Sequence, residues 1–302
     1  MAKRSQITGW FFQSATGIAC LIIIAMVAII LGNVAVNGVH KLSLDFLLKS
    51  PEGGMREGGI FPAIIGTFSL VLLMTVAVVP LGVATAIYMH EYAPKSSRVV
   101  HFVRLAIQNL AGVPAIVFGL FGLGFFIQFI GRGIDNAFNG GQVSFGQPAI
   151  IWAALTMALL TLPTVVVAAE EALRGIPQSY REAAFALGAT RWQVIRRVVL
   201  PQAVGGILTG TILAISRGAG EVAPVMFTGA AYFLPYLPSR LNDQFMELGY
   251  HVYVMTTQSP DVEATKPLLY ATVLVLLLLT FSLNFTAIVI RAKIRRRLHG
   301  AR

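Results

Sequence analysis

The stretch Ser179-Tyr-Arg-Glu-Ala-Ala-Phe-Ala-Leu-Gly-Ala-Thr-Arg-Trp-Gln-Val-Ile-Arg-Arg-Val-Val-Leu-Pro201 lies between residues 136–169 and 202–216, two runs that hold no Lys, Arg, Asp or Glu. Its own pattern is that of two short helices. Ser179 with Glu182 three residues on predicts a capping box, in which each side chain satisfies a backbone N–H of the first turn, and Thr190 with Gln193 repeats it. Gly188 can take the left-handed conformation that ends a helix at low steric cost. The expectation is a helix over Tyr180–Leu187, a sharp turn and a second helix. That second helix sets Arg191, Arg196 and Arg197 among Trp192, Ile195, Val198 and Val199, which suits a path along a membrane surface before a turn at Pro201. A stiff, short helix between two apolar runs is a lever on which a partner can push; a surface helix without a partner is the alternative.

Working outward, further charge-free runs cover residues 5–39, 58–90, 105–131, 198–216, 222–239 and 267–290. A Lys, Arg or Asp at the centre of a span costs about 2.5–3.5 kcal/mol, and about 20 apolar residues suffice to cross a bilayer. Only Arg217-Gly-Ala-Gly-Glu221 separates two of these runs, so residues 205–229 read as one interrupted span, and six spans result. The composition agrees: of 302 residues 56% are apolar and 12% charged, and the mean hydropathy is +0.74. Such a chain excludes soluble, disordered, collagen-like and disulfide-scaffold classes. The predicted fold is an all-α polytopic membrane protein. It divides into a first helix with its outer loop (1–59) and a five-span core (60–302) that carries the loop 170–204.

Six spans put both termini on one side, and the basic residues choose it. With the termini cytoplasmic, the inner segments hold Lys3, Arg4, Lys95, Arg98, Arg104, Arg174, Arg181, Arg191, Arg196, Arg197, Arg291, Lys293, Arg295, Arg296, Arg297 and Arg302. The outer ones hold only Lys41, Lys49, Arg56, Arg132, Arg240 and Lys266. The net charge of +10 is therefore an orientation signal, and nucleic-acid binding loses its support. Lys3-Arg4 before an apolar stretch also fits a signal peptide. Residues 18–36 are long enough to span and no clear small-residue cleavage site follows, so an uncleaved helix is expected.

Small and imino residues mark contacts and breaks. Gly206 and Gly210 form a small-xxx-small pair, and Gly119, Gly122 and Gly124 line one helix, as close helix packing in lipid requires. Pro80, Pro114, Pro163 and Pro224 fall in four spans, where each frees a carbonyl. They fit kinks that help packing, or together a water-accessible path.

Glu182-Ala-Ala-x-x-x-Gly188, the trailing Leu200-Pro201 and the place of this segment before the penultimate span resemble the EAA loop of ABC importer permeases. Leu110-Ala-Gly-Val-Pro-Ala-Ile-Val-Phe-Gly119 and Ser216-Arg-Gly-Ala-Gly-Glu-Val-Ala-Pro224 are similar to the signature segments of phosphate-importer permeases of the A type, from about residue 60 to the C-terminus. Ala115 stands where that family often has serine and Val222 where it usually has threonine, so those hydroxyls are absent here. The resemblance implies a type I ABC importer fold. It also implies a coupling helix in which Arg181, Glu182, Ala183, Ala184, Leu187 and Gly188 meet an ATPase, and a C-type permease as second subunit. Two ATPase subunits that carry ATP and Mg, and an extracytoplasmic phosphate-binding protein, complete the implied assembly.

Arg217 and Glu221 are four apart, hence on one helical face, and about 18 Å of rise puts Arg217 well above Gly205. Each costs about 2–4 kcal/mol to insert alone, so pairing or a polar lumen must compensate. A pair that only locks packing is one reading; a substrate pathway is the other. A guanidinium is planar, permanently charged and can donate two parallel hydrogen bonds to an oxyanion. Glu221 would hold it when no anion is present. Arg174 stands at a basic position of the resembled family and serves either as an exit for the anion or as a positive-inside anchor beside Glu170 and Glu171.

No Gly-Lys dipeptide occurs, so nucleotide hydrolysis of the P-loop kind is expected on a partner. His40, His90, His101, His251 and His299 show no metal-ligand spacing, and Cys20 has no second thiol to pair with. Neither a metal nor a cofactor on this chain is expected. The outer loop 230–266 mixes Tyr232, Phe233, Tyr236, Tyr250 and Tyr253 with Arg240, Asp243 and Glu247. It reads as an interfacial segment or as part of a landing surface for a binding protein.

Overall fold

The computed structural model describes residues 2–53, 57–94, 96–259 and 261–300; Arg56, Lys95 and Arg302, which enter the charge count, lie outside them. Helix α1 (Ala2–Val39) is followed by a short α2 (Leu44–Leu48) and a two-residue hairpin, β1 (Pro51–Glu52) with β2 (Glu57–Gly58). Helix α3 (Phe61–Ile87) continues into a π-helical turn at Tyr88–Tyr92, and α4 (Arg98–Leu110) follows. Next come α5 (Ala115–Phe121), which runs on as a π-helix through Gly122–Gly131, then α6 (Arg132–Phe138) and α7 (Ile150–Arg174). The chain ends with α8 (Gln178–Ala186), α9 (Arg191–Val194), α10 (Leu200–Gly218), α11 (Ala223–Thr228), α12 (Leu248–Thr257) and α13 (Val262–Gly300). Among the described residues six helical segments are long and apolar enough to cross a membrane: 13–39, 61–92, 115–138, 150–174, 191–218 and 262–294.

Helix α7 is the hub. It packs between α3 and α10, while α1 lies on α13 at the periphery. The close approach comes from small residues: a Cβ built on Gly206 would collide with that of Ala172, and one on Gly210 with that of Ala168. With no hydrophobic driving force between helices in lipid, such contact is what van der Waals packing needs. Gly119 and Gly122 face α11 and Thr156 in the same way, whereas Gly124 has nothing within 4 Å of where a Cβ would stand. The main core joins Leu70, Met74, Val78, Met157, Leu160 and Phe245.

Three expectations need correction. The third span is not 105–131. Arg98–Leu110 is a separate helix with one polar face, Ala111–Pro114 is a turn, and the span runs from Ala115 to Phe138. It includes Asp135 because that carboxylate accepts from the backbone N–H groups of Ser144, Phe145 and Gly146 and from Asn139, so its charge is met inside the protein. The fourth span begins at Ile150 rather than 136, because the charge-free run also covers the loop that Asp135 gathers.

The fifth span does not begin at 205. Helix α9 passes through a π-helical turn, Ile195–Val199, into α10, so the chain is helical from Arg191 to Gly218 and the helix does not begin anew at Pro201. The Leu200 N–H reaches back five residues to the Ile195 carbonyl. This widened turn accommodates Pro201, which has no N–H to give.

The outer loop is only partly peripheral. Phe245, Met246, Glu247 and Leu248 are buried, and Ala230 bridges to Phe245; Tyr232, Phe233, Tyr236 and Tyr253 stay exposed.

Candidate functional site

The break between α10 and α11 builds the first part of the site. Helix α10 ends at Gly218, residues 219–222 are unwound, and α11 starts at Ala223 with Pro224 in its first turn. Arg217 and Glu221 therefore do not share a helical face. Arg217 ends one helix and Glu221 lies in the unwound segment, and Nε meets Oε1 across the break at 3.5 Å. They are not deeply buried either: the side chains are 39% and 25% exposed. Their depth follows from Gly218, which lies against Met74 and Met157. At about 1.5 Å per residue these stand about 20 Å and about 10 Å from the Phe61 and Ile150 ends of their helices. A charged pair thus sits within the membrane-spanning layer, beside unwound backbone. Ser216 donates its hydroxyl hydrogen to Asn284 Oδ1 at 2.7 Å and Arg291 donates to Thr209 at 2.8 Å, tying α10 to α13. Gly249 of α12 lies against Val222, closing the other side.

The second part is the α8 loop. Helix α8 starts at Gln178 behind Pro177, whose φ of −54° already suits a first turn, and no side-chain cap is made. The Ser179–Glu182 capping box is therefore not formed. The Thr190–Gln193 box is, with Gln193 N–H on Thr190 Oγ1 at 3.4 Å and Thr190 N–H on Gln193 Oε1 at 2.8 Å. Gly188 has φ +79°, and the Ala189 N–H closes the turn on the Ala184 carbonyl at 3.2 Å.

The six residues expected on the coupling surface divide. Glu182, Ala183, Leu187 and Gly188 are exposed, Leu187 at 89%, and Ala184 is half-buried. Arg181 is buried and turned inward. Its Nη2 meets Glu91 at 2.6 Å, its Nη1 donates to the Ile176 carbonyl at 2.8 Å and Nη2 to that of Leu173 at 3.0 Å. It is turned away from the exposed face of α8 and fastens that helix to the ends of α3 and α7. The Arg191 guanidinium stands over the Tyr92 ring, 5.4 Å from its centroid, a second hold on the same end of α3.

Arg174 lies at the end of α7, with Nη2 3.3 Å from Glu170 Oε1. Arg104 of α4 reaches the same oxygen at 2.5 Å. These residues border a cavity of about 810 Å³ behind α8. The structure does not bring Arg174 together with Arg217; one marks the α8 end of the bundle and the other its interior. Sequence reading missed Glu91, Arg104, Asp135 and the structural role of Glu170. The i,i+4 spacing of Glu170 and Arg174 was a usable signal, but partners 66 and 90 residues apart left none. Among the described residues no group of three His, Cys, Asp or Glu could hold a metal ion.

The chain thus combines a helical bundle, an ion pair at a helix break and an exposed EAA helix. A family model described as the inner membrane component of binding-protein-dependent transport systems matches residues 78–299. The chain belongs to this family. It is 32% identical over 262 residues to a probable ABC transporter permease protein, YqgI, of Bacillus subtilis, covering 82% of this chain and 84% of that one. Phosphate transport system permease proteins PstA are similar as well: the one of Yersinia pestis is 34% identical, covering 87% and 83%, and PstA 1 of Mycobacterium tuberculosis (strain H37Rv) is 39% identical, covering 74% and 67%. The fold is shared with a bacterial alginate ABC transporter solved with its alginate-bound periplasmic protein, at TM-score 0.62 and 14% identity over 93% of each chain. It is shared too with the inward-facing MetNI methionine transporter, at TM-score 0.55 and 17% identity over 78% of this chain and 94% of that one. This permease is thus a multi-pass inner-membrane subunit of an ABC importer with the type I fold, and not itself an enzyme.

Proposed function

We propose that this permease carries inorganic phosphate into the cytoplasm, with the Arg217–Glu221 break as the point the anion passes. The observation that carries the reading is the ion pair across unwound backbone within the spanning layer. A guanidinium there can lend two parallel donors to a phosphate, and Glu221 takes them back as the anion leaves, which keeps binding weak enough for release. The identities of 34% and 39% to proteins named for phosphate transport support the substrate.

Both termini lie in the cytoplasm in this reading, with the α8 loop beside them. A C-type permease pairs with this chain, two ATPase subunits that bind ATP and Mg receive the exposed face of α8, and a phosphate-binding protein docks outside. ATP-driven closure of the ATPases pushes α8; Arg181 passes the movement to α3 and α7, and the break opens alternately to each side. The chain performs no covalent step.

Reconstitution of the two permeases and two ATPase subunits in vesicles, with the binding protein supplied outside, tests this. Phosphate uptake should depend on ATP and fall to background in Arg217→Ala with assembly intact; retained uptake overturns the pathway. Uptake that sulfate or molybdate abolishes by competition assigns the other oxyanion instead.

A further inference from the structure

Phosphate transit at Arg217 leaves a second basic constellation without a role. The cavity of about 810 Å³ behind α8 is bordered by four arginines, Arg104, Arg174, Arg181 and Arg191, against two glutamates, Glu91 and Glu170. Arg181 and Glu91 neutralise each other at 2.6 Å, and Arg191 rests on Tyr92. Arg104 and Arg174 differ, because both close on one atom, Glu170 Oε1, at 2.5 and 3.3 Å. One carboxylate thus answers two cations, and the trio keeps a net positive charge.

Donors are left over as well as charge. A guanidinium has five N–H donors, and among the described residues each of these two makes a hydrogen bond only to Glu170, through Nη2. Arg104 Nε is buried with no partner. Glu170 is 9% exposed, a fixed post, whereas the Arg104 and Arg174 side chains are 38% and 67% exposed and both line the cavity. The same three residues, with Glu171, also border a smaller space of about 130 Å³. Two planar forks held in convergence by a buried carboxylate, with spare donors and spare charge, match a tetrahedral oxyanion.

We propose that Arg104 and Arg174 form a pincer that binds a phosphate-class oxyanion from the α8 side of the membrane, at a site separate from Arg217. The identity of the anion rests on the phosphate reading above. Arg181 and Phe185 of α8 form part of the same cavity wall, so an occupant sits directly behind the helix that moves. Phosphate accumulated on that side therefore slows further import.

The test uses the whole complex in phosphatidylcholine vesicles, with ATP and graded unlabelled phosphate on the α8 side and binding protein with radiolabelled phosphate on the other. Initial uptake should fall as internal phosphate rises. The half-inhibitory concentration should rise about tenfold in Arg104→Gln, which removes a charge-assisted pair of donors, and fall several-fold in Glu170→Gln, which unmasks a positive charge. Inhibition curves that coincide in wild type and both variants overturn the pincer while leaving phosphate import standing. If the wild type imports no phosphate, labelled phosphate binding to the purified Arg217→Ala complex decides instead: binding lost in Arg217→Ala/Arg104→Gln supports the pincer, and binding indifferent to Arg104 refutes it. Repeating the uptake with phosphatidylglycerol in the bilayer separates the sources. Relief of inhibition in wild type but not in Arg104→Gln means that a lipid headgroup competes for the same two arginines; an unchanged curve leaves them to the free anion.

Discussion

Arg181 closes on Glu91 across ninety residues of sequence, with Nη2 2.6 Å and Nε 3.2 Å from the same carboxylate oxygen, and both side chains are less than 10% exposed. Removing one partner of a buried pair leaves the other charge uncompensated, at a cost of about 3–5 kcal/mol. Arg181→Ala should therefore lower the thermal midpoint of the purified protein markedly, and Glu91→Gln should do so less, since an amide still accepts from the guanidinium. The second readout is coupling. With α8 loosened from α3, ATP hydrolysis by the reconstituted complex should continue while phosphate uptake falls. Hydrolysis and uptake that fall in parallel would mean that the pair only supports folding.

The α7–α10 seam is set by glycine. A Cβ on Gly210 would overlap that of Ala168, so Gly210→Val should force the helices apart at a cost of about 1–3 kcal/mol. The double substitution Gly210→Ala with Ala168→Gly exchanges the two sizes across the contact and should recover most of the midpoint. Thermal unfolding in detergent of the single and double variants checks both.

Much of this was legible in the sequence where one physical rule dominates. Six spans follow from the cost of charge in lipid, and Gly206 with Gly210 follows from the spacing that puts two small residues on one face. The rule failed where the protein meets a charge locally. Asp135 reads as a boundary before the run 136–169 because nothing in its neighbourhood announces three backbone donors from residues 144–146. Arg217 and Glu221 read correctly as a pair but for the wrong reason, since the helix between them ends at Gly218. Arg181 reads as part of the outward face with its neighbours because α8 has no strong apolar stripe to orient it, and Glu91, the residue that draws it inward, lies in another helical segment.

Asp135 should be the clasp of the loop 139–149. Its two oxygens accept from Ser144, Phe145 and Gly146, and Trp152 then donates to the Phe145 carbonyl at 2.7 Å. Asp135→Ala leaves those donors without an acceptor, and limited proteolysis should nick this loop in the variant under conditions that spare the wild type. Asp135→Asn keeps one acceptor oxygen and should be cut at an intermediate rate. Equal resistance in all three proteins would show that the loop is held by other contacts, such as Trp152 on Phe145 and Asn242 on Ser144.

Glu247 and His251 should give opposite pH dependences that cancel. Burial pushes the Glu247 carboxyl up to about 7 from an ordinary 4.5, although the Gly249 and Tyr250 N–H groups pull it back; burial pushes His251 down to about 4 from 6.5. A raised acid binds its proton more tightly in the folded state, so its contribution is whole below about 4.5 and is lost as pH rises through 7. A depressed imidazole refuses a proton that the unfolded chain accepts, so its contribution is whole above about 6.5 and is lost as pH falls through 4. Between about 4.5 and 6.5 the two slopes oppose, and the thermal midpoint of the wild type should be nearly flat. Glu247→Gln leaves the histidine slope, so its midpoint should rise from pH 4.5 to 6.5. His251→Phe leaves the carboxyl slope, and its midpoint should fall over the same interval. Melting curves in detergent at three pH values decide it: parallel profiles in the two variants would mean that neither group titrates in this range.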